Sequence, residues 1–271
     1  MKKMRKNVRI ISILIMVLLL VLCSCSNTVE NEKIKLDLNG IGEKEGTYSG
    51  ELKKNLPNGN GKFETKNSSG ETWYYEGEWV DGQMEGEGYE YWPDLGQKYE
   101  GLFANGKMIE GKIYQEDKLQ YDGQVVSMND MVFFDGKGKL YNAKGEVVYD
   151  GIFEMNRSKD LNQLKKNAAH ASYDKLARNP EKYYGDLVKI EGQIIQVIEG
   201  EDGYAGYLVA LDDWVEEVIY LTYARNEKTS RFLEGDEIIV YGQSCDLITY
   251  ESTMGKKVTI PYVEGLSMKH K

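Results

Sequence analysis

The chain has 271 residues, of which 44 are acidic and 34 are basic, and its net charge at pH 7 is −10. This acidic balance disfavours nucleic-acid binding, because contacts to phosphate supply most of the affinity of such complexes. Three cysteines, Cys23, Cys25 and Cys245, give no disulfide framework.

The first 25 residues have the pattern of a secretory signal. Five basic side chains and no acid precede an apolar run at 10–22, which is thirteen residues long and short for a membrane-spanning helix of about twenty. Residues 22–25, Leu-Cys-Ser-Cys, resemble a bacterial lipobox. The resemblance implies cleavage after residue 24, lipid on Cys25, and a mature chain anchored on the outer face of the cytoplasmic membrane. An uncleaved amino-terminal anchor is the alternative.

The segment that follows the leader, residues 25–45, is polar and lacks hydrophobic periodicity. This composition predicts a flexible tether between the lipid and the folded part. Cys245 lies in an apolar, strand-like run near the other end of the chain. It is interpreted as a buried small hydrophobe rather than a reactive thiol.

A tyrosine-led motif recurs through the first half of the chain. Each copy has glycine two residues after the tyrosine and an apolar residue four after it, and the copies are 27, 24, 22 and 28 residues apart. Periods of this length with abundant glycine indicate a stacked repeat array. The residues predicted to build the sheet are Tyr48, Gly50, Tyr75, Gly77, Trp79, Gly82, Tyr99, Gly101, Phe103, Tyr121, Gly123, Tyr149 and Gly151.

The second copy shows the local structure that the motif favours. Tyr75, Gly77 and Trp79 alternate with two glutamates, so in a strand they share one face. Asp81-Gly82 then gives a strong hairpin-turn signal. Each repeat is therefore predicted to be a β-hairpin with one buried face.

Residues 46–156 resemble the MORN repeat family, most closely in the stretch Tyr-Glu-Gly-Glu-Trp-Val-Asp-Gly-Gln that begins at Tyr75. The resemblance implies that successive hairpins form one long, twisted sheet. It also implies a scaffold or interaction module, since the family has no single activity.

Residues 157–180 are predicted to form one linking amphipathic helix. Apolar side chains recur at spacings of three and four from Ser158 to Asn179, and Pro180 ends the pattern. Such a helix could cover an exposed edge or end of the repeat sheet.

Residues 181–271 are predicted to form a small five-stranded barrel. The expected strands are separated by turn signals such as Glu-Gly-Asp and Met-Gly-Lys. The segment resembles the OB-fold domains of Gram-positive lipoproteins, which are related to anticodon-binding barrels. The strands are predicted at Leu187–Ile198, Tyr204–Leu211, Val218–Tyr223, Glu237–Tyr241 and Val258–Tyr262.

The sequence contains no recognisable catalytic or metal-binding constellation. His170 and His270 lack acids or cysteines at triad or metal-ligand spacing, and no phosphate loop or HExxH motif is present. The acids between residues 199 and 217 lack EF-hand spacing. No enzyme activity, cofactor or metal is therefore predicted.

The sequence thus predicts a mainly β lipoprotein, for which three functions compete. The favoured one is a non-catalytic interaction scaffold whose partner is a protein or the cell wall. A second is a ligand-binding lipoprotein whose barrel captures an oligosaccharide or peptide on stacking tyrosines, and a third is an extracytoplasmic hydrolase. The candidate ligand-binding residues are Tyr204, Tyr207, Tyr220 and Tyr223.

Overall fold

The computed structural model describes residues 27–39, 41–67, 69–128, 131–200, 204–212, 216–224, 231–251 and 255–271. The leader and the predicted lipidation site at Cys25 lie outside these residues. Within them the chain is mainly β, as predicted, with three short helices between two sheets.

The first sheet contains eleven strands, and every strand pairs with the next one along the chain. All these pairs are antiparallel. The predicted sheet of consecutive hairpins is therefore confirmed, and we call it the array. Its strands are β1 (Asn27–Leu38), β2 (Gly42–Lys53), β3 (Leu56–Lys66), β4 (Thr72–Val80), β5 (Gln83–Trp92), β6 (Gln97–Ala104), β7 (Lys107–Gln115), β8 (Lys118–Met128), β9 (Met131–Tyr141), β10 (Val147–Glu154) and β11 (Arg157–Ser158).

Two-residue turns with positive φ at both positions connect many of these strands. Asp81 and Gly82, between β4 and β5, have φ of 47° and 84°. Both values belong to the tight hairpin turn whose twist matches that of its strands. The same pattern recurs at Lys54-Asn55, Asn105-Gly106, Glu116-Asp117 and Met155-Asn156.

One glycine from each of nine successive strands lies in a single row across the array. Each is the register partner of the next, from β2 to β10. A row without Cβ atoms is a groove in the inward face of the sheet. We call it the glycine row, and its members are Gly50, Gly61, Gly77, Gly88, Gly101, Gly111, Gly123, Gly138 and Gly151.

Four of the five repeat tyrosines, all except Tyr99, lie in this groove. A Cβ added to Gly88 would be 2.3 Å from the Tyr75 hydroxyl oxygen, and one added to Gly138 would be 2.2 Å from that of Tyr121. Tyr75 donates to the carbonyl oxygen three residues on, at 3.0 Å. Glycine is thus required in the row because it leaves room for a ring. Tyr48, Tyr121 and Tyr149 make the same i to i+3 bond.

The aromatic residue four positions after a repeat tyrosine packs against the tyrosine of an earlier repeat. Trp79 meets the Tyr48 ring edge-on with the centroids 5.9 Å apart, and Phe103 meets the Tyr75 ring at 4.9 Å. All four side chains are at most 1% exposed. These contacts join neighbouring hairpins and contribute to the core of the array.

The prediction of a tether at residues 25–45 is wrong for the part that the structure describes. Asn27–Leu38 forms β1 and pairs with β2, which already begins at Gly42. Leu36 and Leu38 are buried, because their alternation places both on the inward face. The array therefore extends from residue 27 to residue 158 rather than from 46 to 156.

The predicted single helix at 157–180 is also wrong. Residue Ala168 has an extended ψ of 128° and a short strand at residues 169 and 170 follows it, so the helical pattern is interrupted. The elements are α1 (Leu161–Asn167), β12 (Ala169–His170), α2 (Tyr173–Arg178) and α3 (Pro180–Tyr183).

The carboxy-terminal region contains a closed ring of five strands, which we call the barrel. Around the ring the order is β13, β14, β15, β17, β16, and pairing of β13 with β16 closes it. The β15 and β17 pair is parallel, whereas the other ring pairs are antiparallel. The strands are β13 (Leu187–Glu199), β14 (Tyr204–Ala210), β15 (Val218–Ala224), β16 (Glu237–Glu251) and β17 (Lys257–His270).

The barrel packs directly against the array. Leu187, Tyr241 and Leu266 of the barrel belong to the same buried cluster as the array's aromatic residues. The Gln243 amide donates to the backbone oxygen of Tyr141 at 3.0 Å. Apolar packing and backbone hydrogen bonds therefore join the two units.

Candidate functional site

Four tyrosines form a cluster on the outward face of the array. Tyr74 lies between two inward-facing residues of β4, so strand alternation turns it outward. Its ring centroid is 5.9 Å from that of Tyr89 and 5.6 Å from that of Tyr91. The register continues the row through Lys98 to Tyr114. We call Tyr74, Tyr89, Tyr91 and Tyr114 the outer tyrosine cluster; all four are half-buried.

Lysines and glutamates hold these rings in place. Lys62 Nζ lies 3.8 Å from the centroid of the Tyr74 ring, and Lys98 Nζ lies 5.0 Å from that of Tyr89. The Tyr89 hydroxyl donates to the Glu76 carboxylate at 2.8 Å. Burial and this carboxylate together raise the pKa of Tyr89, so the phenol stays neutral over the physiological range. The cluster is thus an aromatic surface whose rings are restrained by contacts with charged side chains.

The sequence contains a signal for this cluster that lies outside the repeat motif. Any residue next to an inward-facing tyrosine in a strand must face outward. Tyr74 precedes Tyr75, and Tyr89 and Tyr91 flank the buried Glu90. Alternation around the core positions would have identified the outward rings.

The four tyrosines predicted to bind a ligand on the barrel do not share one surface. Tyr207 is 2% exposed and lies in the barrel core, against which Tyr223 also packs. Tyr204 and Tyr220 lie on the opposite faces of their strands. The four rings therefore form no single stacking surface, because an odd spacing separates the two residues of each strand.

Tyr204, one of the two outward tyrosines of the barrel, belongs to its junction with the array. Tyr204 lies 5.5 Å from Phe133 of the array, measured between ring centroids. Asn156, in the turn after β10, donates to the Tyr204 hydroxyl and to Glu264 Oε1, the latter at 3.1 Å. This amide therefore connects the last hairpin of the array to two strands of the barrel.

Glu264 is the acidic residue at this junction. The residue as a whole is half-buried, but its carboxyl group is enclosed by protein. Burial raises the pKa of that carboxyl, and the hydrogen bond from Asn156 offsets only part of the increase. Burial and the nearby Glu264 likewise raise the pKa of Tyr262. The junction is thus an environment that favours neutral side chains.

The remaining nucleophilic and metal-binding candidates are isolated. Burial raises the pKa of the Cys245 thiol, which disfavours the reactive thiolate. His170 lies in β12 rather than in a helix, and His270 is at the end of β17. Within the described ranges, no three His, Cys, Asp or Glu side chains are grouped so that they could hold a metal ion.

A polar cleft of about 550 Å³ lies between the barrel and the segment that carries β12. Four carboxylates line it, together with His170 and Lys271, so its charge is predominantly negative. A phosphate-rich ligand would be repelled there. The acidic lining residues are Glu191, Asp212, Glu217 and Glu237.

Comparison with known proteins identifies the repeats. The MORN repeat family matches residues 48–69 and 75–97, which cover most of the hairpins β2–β3 and β4–β5. The search of curated proteins found no relative of the chain. Residues 48–97 therefore carry MORN repeats, which suggest a module for protein interaction or membrane association. None of the helices among the described residues is long and apolar enough to cross a bilayer.

Proposed function

We propose that the chain is a membrane-anchored extracytoplasmic lipoprotein that acts as a non-catalytic interaction scaffold. The outer tyrosine cluster is the observation that carries this proposal. Tyrosine supplies a large contact area at low entropic cost because its side chain has only two rotatable bonds. The hairpin register fixes the four rings relative to one another. The partner is expected to be a protein or the cell wall.

The anchor is the diacylated amino-terminal cysteine that the Leu-Cys-Ser-Cys sequence implies. Two acyl chains are enough for stable attachment to a bilayer. Removal of the leader also removes five basic side chains and no acid, so the mature chain is more acidic than its precursor. That charge favours solubility at the cell surface.

We assign the barrel to the OB fold within the same proposal. The strand order of the ring and its one parallel pair, β15 with β17, support this assignment. An OB-like barrel could also capture an oligosaccharide or peptide, and the acidic cleft gives this alternative a location. The barrel is not expected to bind nucleic acid, because a carboxylate-lined cleft repels phosphate.

Site-specific crosslinking in intact cells tests the scaffold function. A photoreactive phenylalanine analogue at position 91 is expected to capture a partner. The same analogue at position 152, an exposed outward residue of β10, serves as the matched control. The double variant Tyr74→Ser, Tyr114→Ser is expected to abolish capture at position 91. Capture that is equal at both positions, or unchanged in the double variant, would contradict the role of the cluster.

A further inference from the structure

A second cavity lies on the inward face of the array. It has a volume of about 230 Å³, which is far more than the roughly 30 Å³ that one water occupies in the liquid. Residues from the turn between β1 and β2, including Ile41, form one side of it. The facing wall comes from β4 to β9 and includes Trp73, Trp92 and Met108. We call it the array pocket.

The array pocket occurs where the repeat pattern changes. The inward row beside the glycine row runs through Tyr48, Phe63 and Tyr75, and later through Ile113, Tyr121, Leu140 and Tyr149. Between these two runs it contains Glu90 and Tyr99. Glu90 is the one charged member of the row from β2 to β10, and it is 7% exposed.

Tyr99 departs from the other repeat tyrosines in its position. A Cβ added to Gly111 would meet the Met108 methyl group at 2.5 Å, so Met108 occupies the place that a tyrosine fills elsewhere. Tyr99 packs instead against Trp92, with 5.0 Å between the ring centroids. Both exceptions in the inward row, Glu90 and Tyr99, line the same pocket.

The aromatic wall and the acid lie close together. Trp73 and Trp92 have ring centroids 6.3 Å apart. Burial and then the Glu90 carboxylate raise the pKa of Tyr99 to about 12. The indole nitrogen of Trp73 is buried and has no hydrogen-bond partner among the described residues. Aromatic faces beside a carboxylate form a favourable site for an alkylated ammonium group.

Positive charge also lines this pocket. Lys44, Lys66 and Lys107 also line the pocket, and all three keep part of their surface in solvent. Glu90 is the one acid among the described lining residues. A simple cation would face the lysines, and a simple anion would face Glu90. A ligand that carries both charges suits both regions.

We propose that the array pocket binds a small zwitterion, in which an alkylated ammonium group is joined to a phosphate or carboxylate. The ammonium group lies against Trp73, Trp92 and Tyr99 beside Glu90, and the acidic group meets the lysines. The pocket is smaller than the roughly 300–1,000 Å³ that is typical of drug-sized sites. It therefore admits a head group or a metabolite-sized molecule rather than a chain of sugar units or a folded segment.

Calorimetric titration of residues 26–271, which are the proposed mature chain without its lipidated Cys25, with phosphocholine and glycine betaine tests the proposal. At least one of these zwitterions is expected to bind about tenfold or more tightly than both choline and inorganic phosphate, since loss of one charged contact costs roughly that much. Choline or phosphate binding as tightly as the better zwitterion would overturn it, and so would the absence of binding by both zwitterions.

Matched variants assign the binding to the pocket. Glu90→Gln and Lys107→Gln are each expected to weaken zwitterion binding about tenfold, whereas Glu100→Gln on the outward face leaves it unchanged. Circular dichroism verifies that each variant is folded, and Lys107→Gln tests the pocket even if Glu90→Gln does not fold. Unchanged affinity in folded Lys107→Gln would overturn the assignment.

Phosphatidylcholine vesicles separate the two sources of such a head group. Flotation of the unlipidated chain with these vesicles, lost in Lys107→Gln, would identify a lipid as the source. Titratable binding of the free zwitterion without flotation would identify a soluble molecule. Both outcomes support the pocket, and neither depends on whether the outer tyrosine cluster has a partner.

Discussion

Gly88→Ala tests how the repeat tyrosines build the array. A Cβ at this position would lie 2.3 Å from the hydroxyl oxygen of Tyr75 and 2.6 Å from Cζ of the same ring. Non-bonded carbon contacts are normally about 3.5–4.0 Å. Tyr75 is fully buried, so its ring can leave the groove only by disturbing the packing around it.

The expected loss of stability in Gly88→Ala has two contributions. Overpacking of a close-packed core destabilises by about 1–3 kcal/mol. Displacement of the ring also breaks the 3.0 Å hydrogen bond from Tyr75 to the Glu78 carbonyl, which is worth about 1 kcal/mol. Gly88→Ala should therefore lower the free energy of unfolding by about 2–4 kcal/mol.

Guanidinium unfolding followed by tryptophan fluorescence measures this cost in the array, since three of the four tryptophans lie there. Glu87→Ala, at the neighbouring exposed position on the outward face of β5, should be nearly neutral. In a Tyr75→Ala background the cost of Gly88→Ala should largely disappear, because the clashing ring is gone. If the free-energy costs of Gly88→Ala and Tyr75→Ala add within about 0.5 kcal/mol in the double variant, the explanation is refuted.

Three further predictions concern the anchor, the junction and the ligand class. Cys25→Ala should release the protein from membranes in a fractionation assay, and processing and retention like the wild type would disprove lipidation. Glu264 has a folded-state pKa above its ordinary value of 4.5, so it contributes stability that is complete below that pH and is lost as pH rises through the folded pKa. Glu264→Gln should therefore reduce the pH dependence of the free energy of unfolding in urea, and it should raise that free energy at pH values above the folded pKa. An unchanged pH profile would contradict the conclusion that the carboxyl is enclosed. Residues 26–271 should show no salt-sensitive binding of single-stranded DNA or RNA by fluorescence anisotropy, and low-micromolar affinity that weakens steeply with salt would overturn this prediction.

The hairpins were predictable because several local signals agree at each of them. In the second repeat the alternation around Gly77 fixed the inward face, and Asp81-Gly82 specified the turn. β1 was missed although Ile34, Leu36 and Leu38 alternate, because the charged residues between and before them give the segment the composition of a linker. Its burial depends on pairing with β2, which is a contact that composition does not show.

The linking segment and the sites were less predictable, since both depend on tertiary contacts. The spacing of apolar residues from Leu161 onward is compatible with a long helix. The parallel pairing of Ala169 with Val188 in the barrel nevertheless holds residues 169 and 170 as a strand. The array pocket likewise requires that the turn between β1 and β2 approach strands far from it in sequence. No local sequence motif predicts this long-range contact.

Asn156 has a practical consequence for anyone who wishes to produce the two halves separately. The repeat pattern suggests cutting the gene after residue 156, yet this amide holds Tyr204 and Glu264 from the far side of that cut. A carboxy-terminal fragment would lack Asn156, so the carboxyl of Glu264 would lose its hydrogen-bond donor and become exposed. An amino-terminal fragment would end in the turn before β11 and lose the final strand of its sheet. Shortened chains that keep the whole array, residues 27–158, together with the barrel are therefore better starting points for expression.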